Sequence, residues 1–121
     1  MAALDLGVEP RDGANLPAVR VGVERLLALM KRLRDSPEFS FDMLVDHTAV
    51  DWNQEGRFEC LYNLCSTTHG HQLLVSVSVP RDNPVVPSVA GLWAIAEWQE
   101  REVFDLMGVL YDGHPDLRRL F

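Results

Sequence analysis

Cysteine is scarce in this sequence. The 121 residues include two cysteines, Cys60 and Cys65, which are too few for a disulfide framework. They lie five positions apart in one predicted strand, so their side chains are expected on opposite faces of it. An iron–sulfur cluster needs three or four cysteines, so this chain cannot hold one by itself. Free thiols are typical of a reducing compartment.

Basic residues and long apolar runs are also few. Eleven Lys and Arg stand against 18 Asp and Glu, which gives a formal net charge of -7. This acidic balance argues against nucleic acid or anionic lipid as a partner. No apolar run approaches the roughly 18 residues of a membrane-spanning helix, so no direct membrane insertion is predicted. The first residues lack the features of a signal peptide, and we expect a cytoplasmic protein.

Motifs that carry chemistry are absent as well. The segment 108–113 has no lysine and no strand–turn–helix context, so it is not a phosphate-binding loop. His69 and His71 lie at the tip of a predicted hairpin and could form half of a metal site, whereas zinc needs three or four ligands. We therefore expect no catalytic, metal or cofactor-binding residues in this chain. An independent small metal enzyme that uses these histidines and nearby carboxylates is the less favoured alternative.

Apolar periodicity predicts an α+β fold, with an antiparallel sheet of three to four strands and two main helices packed on one face. Residues 1–20 are predicted as a loose arm with a short strand near 18–21, and residues 21–121 as a single domain. Hairpin-length turns between the main strands make consecutive strands antiparallel. Helices are predicted over 22–34 and 89–107, and strands over about 41–49, 57–64 and 72–79. The apolar face of the first helix is predicted to carry Val23, Leu26, Leu27, Met30 and Leu33.

The face and ends of these elements are also predicted. Phe41, Met43, Val45 and His47 are expected on the apolar face of the first main strand, with His47 bonded to backbone. Residues 80–87 contain three prolines and are predicted as a stiff extended connector. On either side of helix 89–107, Ser88 is the predicted N-cap and Gly108 the predicted C-cap.

The last third of the chain mixes charged and large apolar residues. Glu97, Arg101 and Asp105 have the i, i+4 spacing of helix ion pairs. We interpret them, with Glu100 and Glu102, as a solvated or interface face. Periodicity cannot decide whether the apolar residues complete the core or bind a partner. They are Trp98, Phe104, Leu106, Met107, Leu110 and Tyr111.

Segment 100–121 resembles the signature of the C-type subunit of respiratory NADH:quinone oxidoreductase (complex I), also called the 30 kDa subunit family. The Asp-Asn-Pro-Val-Val-Pro-Ser stretch at 82–88 and the strand that begins at Arg57 and Phe58 extend the likeness to about 40–121. The matching positions of the signature are Glu100, Arg101, Glu102, Asp105, Leu106, Met107, His114, Arg118, Leu120 and Phe121.

The resemblance implies a non-catalytic, cofactor-free subunit of the peripheral arm, on the cytoplasmic side of the inner membrane. Its partners would be the large subunit of the quinone site and the small subunit that carries an iron–sulfur cluster. NADH dehydrogenase (quinone) activity would belong to the whole complex. Related subunits occur in membrane-bound nickel–iron hydrogenases, the alternative parent. Complex I members typically continue beyond Phe121, so the parent complex stays open.

The resemblance also implies that the signature is a partner interface. Gly108 and Gly113 would permit turns, and a final turn would present Arg118 and Arg119 to the large subunit, because guanidinium groups bind carboxylates bidentately. An isolated chain could dimerise through its apolar surface. The expected interface residues are Glu100, Arg101, Glu102, Asp105, Gly108, Gly113, His114, Pro115, Asp116, Leu117, Arg118 and Arg119.

Overall fold

The computed structural model describes residues 9–10 and 17–114. Single 3-10 turns lie at Val23–Arg25 and Asn53–Glu55. In chain order the helices and strands are β1 (Glu9–Pro10), β2 (Ala18–Arg20), α1 (Leu26–Asp35), β3 (Met43–Trp52), β4 (Arg57–Ser66), β5 (His71–Pro80), β6 (Val85–Pro87), α2 (Ala96–Met107) and β7 (Leu110–Asp112).

The main sheet is built on β3, β4 and β5, which pair antiparallel as the short turns predict. β2 joins the other edge of β5 in parallel, and β1 pairs antiparallel with β2. The order of the described strands in this sheet is therefore β1-β2-β5-β4-β3, and β6 and β7 form a separate two-stranded sheet. The predicted α+β class is confirmed. The sheet is mixed because α1, β3 and β4 separate β2 from β5, which leaves ample chain for a parallel crossover.

The predicted strand near 18–21 is confirmed and sets a boundary inside the predicted arm. Ala18–Arg20 is β2, and Val19 is buried in the core. The arm predicted over residues 1–20 therefore ends within the sheet. Of the preceding residues the structure describes Glu9–Pro10, which form β1.

The predicted helix 22–34 corresponds to the first 3-10 turn followed by α1. The residues that α1 buries recur at i, i+3, i+4 and i+7, the spacing of one helix face. Leu27 was expected on that face and is instead exposed. The core side of the sheet follows the predicted alternation on β4 and β5. The buried residues are Leu26, Leu29, Met30 and Leu33 of α1, Phe58, Cys60, Tyr62 and Leu64 of β4, and Leu73, Val75, Val77 and Val79 of β5.

The predicted apolar face of β3 is wrong at two positions. Met43 and Val45 are exposed, whereas Leu44 is buried. The cause is a β-bulge, because Leu44 pairs with Leu64 and Asp46 pairs with Asn63, which leaves Val45 as an extra residue. Beyond the bulge the alternation resumes in the opposite phase, and His47 faces the core as predicted.

The segment before α2 also departs from the prediction. The proline-rich connector ends in β6, which pairs in parallel with β7. The predicted helix 89–107 begins only at Ala96, and Val89 instead starts hydrogen-bonded turns in which its carbonyl accepts from the N–H groups of Leu92 and Trp93. Gly108 ends α2 as predicted, with a φ of 79° that favours glycine.

Candidate protein-interaction site

Helix α2 has one buried face and one exposed face. Ala96 and Val103 are buried, and Phe104 and Met107 pack against the core. The opposite face carries Ile95, Trp98, Glu102 and Leu106, which recur at i, i+3, i+7 and i+11 and are all exposed. We call these four residues the outer stripe. Trp98 is 51% exposed and Leu106 is 81% exposed, so large apolar side chains face solvent here.

The six large apolar residues of the last third therefore divide between core and surface. Tyr111 is buried, and Phe104 and Met107 are packed against the core. Trp98, Leu106 and Leu110 are exposed. The sequence left open whether these residues complete the core or bind a partner. Three of the six belong to the core, and the other three are exposed as a partner-binding surface would require.

Glu100 does not lie on a surface. Its side chain is 0% exposed, and its carboxylate accepts hydrogen bonds from the Ser88 hydroxyl at 2.6 Å and the Val89 N–H at 2.8 Å. The interpretation of this carboxylate as a solvated or interface group is wrong. The sequence did hold a signal, because Glu100 shares its helix stripe with Ala96, Val103 and Met107.

Burial raises the pKa of Glu100, and its bonds to Ser88 and Val89 and the nearby His114 act in the opposite direction. Ser88 also accepts the N–H of Ala90 at 3.1 Å, which is the role of a cap residue although the segment there is a turn. The carboxylate thereby holds the end of the connector against α2. Its role in the described structure is to position the chain.

His114 anchors the end of the described chain to α2. Its Nε2 lies 2.8 Å from the Glu97 carbonyl oxygen, so this nitrogen donates, and 3.9 Å from a carboxylate oxygen of Glu100. The turn that precedes His114 depends on Gly113, whose φ of 83° favours glycine, as expected. The expected interface residues Pro115, Asp116, Leu117, Arg118 and Arg119 lie outside the described residues.

The other charged residues of the signature lie around the outer stripe. The guanidinium of Arg101 stacks 5.8 Å from the centre of the Trp98 ring, a cation–π geometry. Glu102 is exposed within the stripe, and Asp105 is half-exposed beside it. The exposed face of α2 thus combines an aromatic anchor, aliphatic side chains and carboxylates.

The bulged start of β3 adjoins α2. The side-chain amide of Gln99 donates to the Val45 carbonyl at 3.3 Å, which ties the helix to the edge strand. A groove of about 510 Å³ lies between the start of β3 and the turns that precede α2. It is lined by Asp42, Met43, Leu44, Val45, Leu92, Trp93, Ala94 and Ile95.

A buried histidine connects β3 to β7. His47 donates from Nδ1 to the Leu61 carbonyl at 3.0 Å, as predicted for a core histidine bonded to backbone, and Nε2 accepts from the Tyr111 hydroxyl at 2.6 Å. Its ring also stacks on the ring of Tyr62, with 4.2 Å between the two ring centres. Burial lowers the pKa of His47 to about 4, so the ring is neutral at pH 7. The Tyr111 partner could not be predicted, because it lies 64 positions away in sequence.

The residues considered for metal or thiol chemistry have ordinary environments. His69 and His71 are exposed at a hairpin and hydrogen-bond to the carbonyls of Pro37 and Phe39. Within 9–10 and 17–114, no group of three or more His, Cys, Asp or Glu is placed to hold a metal ion. Both cysteines are free thiols, and burial raises the pKa of Cys60 to about 12.

The fold is that of a small α+β domain, and the exposed face of α2 is its candidate interaction site. The chain belongs to the family of the respiratory-chain NADH dehydrogenase 30 Kd subunit, whose model matches residues 19–121. This family is the one that the signature at 100–121 indicated.

Curated relatives agree with the family. The chain is 45% identical over 113 residues to the C-type subunit of NADH-quinone oxidoreductase from Moorella thermoacetica, covering 93% of this chain and 75% of the relative. It is 47% identical over 95 residues to the subunit of the same name from Acidithiobacillus ferrooxidans, covering 73% and 47%. It is 40% identical over 129 residues to the subunit of the same name from Legionella pneumophila, covering 81% of this chain and 57% of the relative. The chain thus spans about half the length of several relatives.

Solved structures share the fold. The trypsin-resistant fragment (1-134) of Nqo5 superposes with a TM-score of 0.83 at 31% identity, covering 96% of this chain and 94% of that chain. A chain of the membrane-bound sulfane sulfur reductase, an archaeal respiratory membrane complex, gives 0.84 at 24% identity, covering 98% and 70%. The latter likeness shows the fold alone. Among the described residues, no helix is both long and apolar enough to cross a bilayer.

Proposed function

We propose that this chain is a non-catalytic subunit of the peripheral arm of a complex I-like NADH:quinone oxidoreductase, where it supports assembly. The observation that carries the proposal is the match of the family model to residues 19–121. The exposed apolar side chains of the outer stripe support it, because aromatic and aliphatic anchors of this kind are typical of protein interfaces.

The proposed partners are the large subunit of the quinone site and the small iron–sulfur subunit. Under this proposal the redox groups and the quinone belong to those partners, and this chain binds none of them. The assembled complex would hold the chain on the cytoplasmic side of the inner membrane. Metal analysis of the purified chain tests the cofactor proposal, and stoichiometric zinc or iron would instead favour the independent metal enzyme.

Affinity purification of the tagged chain from its native host, followed by identification of the co-purifying proteins, tests the function. We expect the large and small subunits of an NADH:quinone oxidoreductase. A partner set that includes a large subunit with nickel-ligating cysteines would favour the hydrogenase parent. The curated relatives favour the first outcome, because those from all three organisms are named as subunits of NADH-quinone oxidoreductase.

A charge reversal tests the proposed contact of the final basic residues. We expect Arg118→Glu with Arg119→Glu to release the chain from its complex, because both guanidinium groups would lose their carboxylate partners. The matched control reverses Arg25, at the end of the first 3-10 turn, and Arg32 of α1, which are both exposed. The readouts are co-purification of the large subunit and circular dichroism of the isolated variants. Undiminished co-purification of the double variant would contradict this contact.

A further inference from the structure

The outer stripe and the start of β3 form one apolar surface. Ile95 belongs to the stripe and also lines the groove beside Met43 and Val45. The bond from Gln99 to the Val45 carbonyl fixes the helix against the strand at this point. We call the five residues Ile95, Trp98, Leu106, Met43 and Val45 the α2–β3 surface. All five are between 43% and 81% exposed, so each presents apolar atoms to solvent.

Carboxylates surround this surface. Glu102 lies within the outer stripe, Asp105 is beside it, and Asp42 and Asp46 are exposed where β3 begins. Two guanidinium groups lie near the surface among the described residues. That of Arg101 lies over the Trp98 ring, and that of Arg34 donates to the carbonyl of Leu92, which lines the groove. The four carboxylates outnumber these two groups, so the described part of the rim is net acidic, like the chain as a whole with its net charge of -7.

The sign of the rim decides what can cover the surface. A second copy would bring its own acidic rim against this one, and like charges across an interface are costly. An anionic bilayer would be repelled for the same reason. A polypeptide with apolar side chains flanked by Lys or Arg would satisfy both the apolar centre and the rim.

We propose that the α2–β3 surface docks a segment of a partner protein whose apolar side chains are bordered by Lys or Arg. This inference rests on the proposed function, since it assigns a surface to one of the subunits of the same complex. In this contact the chain supplies negative charge, whereas in the contact proposed for Arg118 and Arg119 it supplies positive charge. Two contacts of opposite charge admit one orientation of the chain on its partners, because a reversed orientation pairs like charges.

Site-specific crosslinking in the assembled complex tests this inference. A photoreactive benzoylphenylalanine replaces Trp98 in the tagged chain, expressed in the native host, and the crosslinked peptide is identified by mass spectrometry. The matched control places the same group at Val85, which is also an exposed apolar residue but lies outside the surface. We expect the probe at position 98 to capture a partner segment with apolar residues flanked by Lys or Arg, and the probe at 85 not to capture that segment.

Charge variants give a second readout. Tagged wild-type and variant chains compete for incorporation into the complex when they are expressed together. We expect Glu102→Lys to lower its incorporation about tenfold relative to wild type, because it places a like charge against the basic partner. Asp82→Lys makes the same change of charge at an exposed turn after β5 and should stay within about twofold.

The outcomes separate this inference from the function on which it rests. Capture of a second copy, of an acidic segment or of no protein at position 98, in a chain that still co-purifies with the large subunit, would overturn the inference and leave the function intact. Equal incorporation of Glu102→Lys and Asp82→Lys would overturn it as well. Failure of the wild-type chain to co-purify with any oxidoreductase subunit would overturn both.

Discussion

His47 holds three parts of the chain together through one neutral ring. Its two nitrogens bond to the Leu61 carbonyl and the Tyr111 hydroxyl, and its face stacks on Tyr62. Protonation would remove the acceptor that Tyr111 needs and would place a charge in the core. The folded state therefore favours the neutral form, which links the stability of the protein to pH.

The stability of the isolated chain should fall in acid because of His47. Its pKa is about 4 in the folded state and 6.5 in the unfolded state. The contribution is complete above pH 6.5 and is lost as the pH falls toward 4, since the unfolded chain binds the proton first. The loss amounts to about 3 kcal/mol over that range. Urea unfolding at several pH values measures it.

The control for this prediction is His47→Gln, which cannot titrate in this range. Burial raises the pKa of Glu100, so its contribution runs the opposite way and is lost as the pH rises through its raised value. Glu100 is present in both proteins, and its contribution cancels in the difference between their stability curves. Parallel curves for wild type and His47→Gln would contradict the role of His47.

Between elements, Glu100 is the link from the β6 connector to α2. The carboxylate accepts both the Ser88 hydroxyl and the Val89 N–H, and these residues directly follow β6. The same bonds help explain why regular helix does not begin at Val89 but only at Ala96, since the Val89 N–H is committed to a tertiary partner. Helix propensity and periodicity describe local preferences and do not register such partners.

Removal of this link should destabilise the fold. We expect Glu100→Ala to lower the free energy of unfolding by about 3 kcal/mol, because it leaves a buried N–H without an acceptor and opens a cavity. Glu100→Gln should stay within about 1 kcal/mol of wild type, since its amide oxygen can accept from Val89 and the Ser88 hydroxyl can accept from its amide.

The matched control is Glu102→Ala on the exposed face of the same helix, with an expected change within about 0.5 kcal/mol. Thermal or urea unfolding, followed by far-ultraviolet circular dichroism, compares the three variants. If the alanine variants at 100 and 102 were equally stable, the buried carboxylate would have no role in holding the connector.

At the scale of the whole molecule, the sequence predicted what depends on short-range periodicity. Helix α1, the strands β3 to β5 and the cap at Gly108 follow from alternation, i, i+4 spacing and glycine chemistry. The bulge at Val45 reverses the predicted faces, because one inserted residue inverts a period of two. The parallel pairs of β2 and β6 were not predicted for another reason, since their partners lie far along the chain.

The candidate site was predicted in part for the same reasons. The sequence singled out Trp98 and Leu106 as large apolar residues among charges, and the structure leaves both exposed. It also grouped Glu100 with Glu102 as surface charge, although the Glu100 side chain turns inward. A mixed sequence gives α2 two faces, and only its contacts with β3 and the connector decide which one is covered.

The parallel pairing of β2 with β5 has a kinetic consequence. Ala18 pairs with Leu74, so this contact closes a far longer loop than the turns that join β3, β4 and β5. Long loops cost more entropy, and local hairpins form first. During refolding, pulse-labelling hydrogen exchange should find the β4 amides protected before those of Val21 and Leu74, which bond to Ser76 and Pro17. Simultaneous protection of the β4 amides and of the Val21 and Leu74 amides would refute this order. If the order holds, the Leu74 amide lies in the middle of a strand that forms early and yet reports the late arrival of the N-terminal strand.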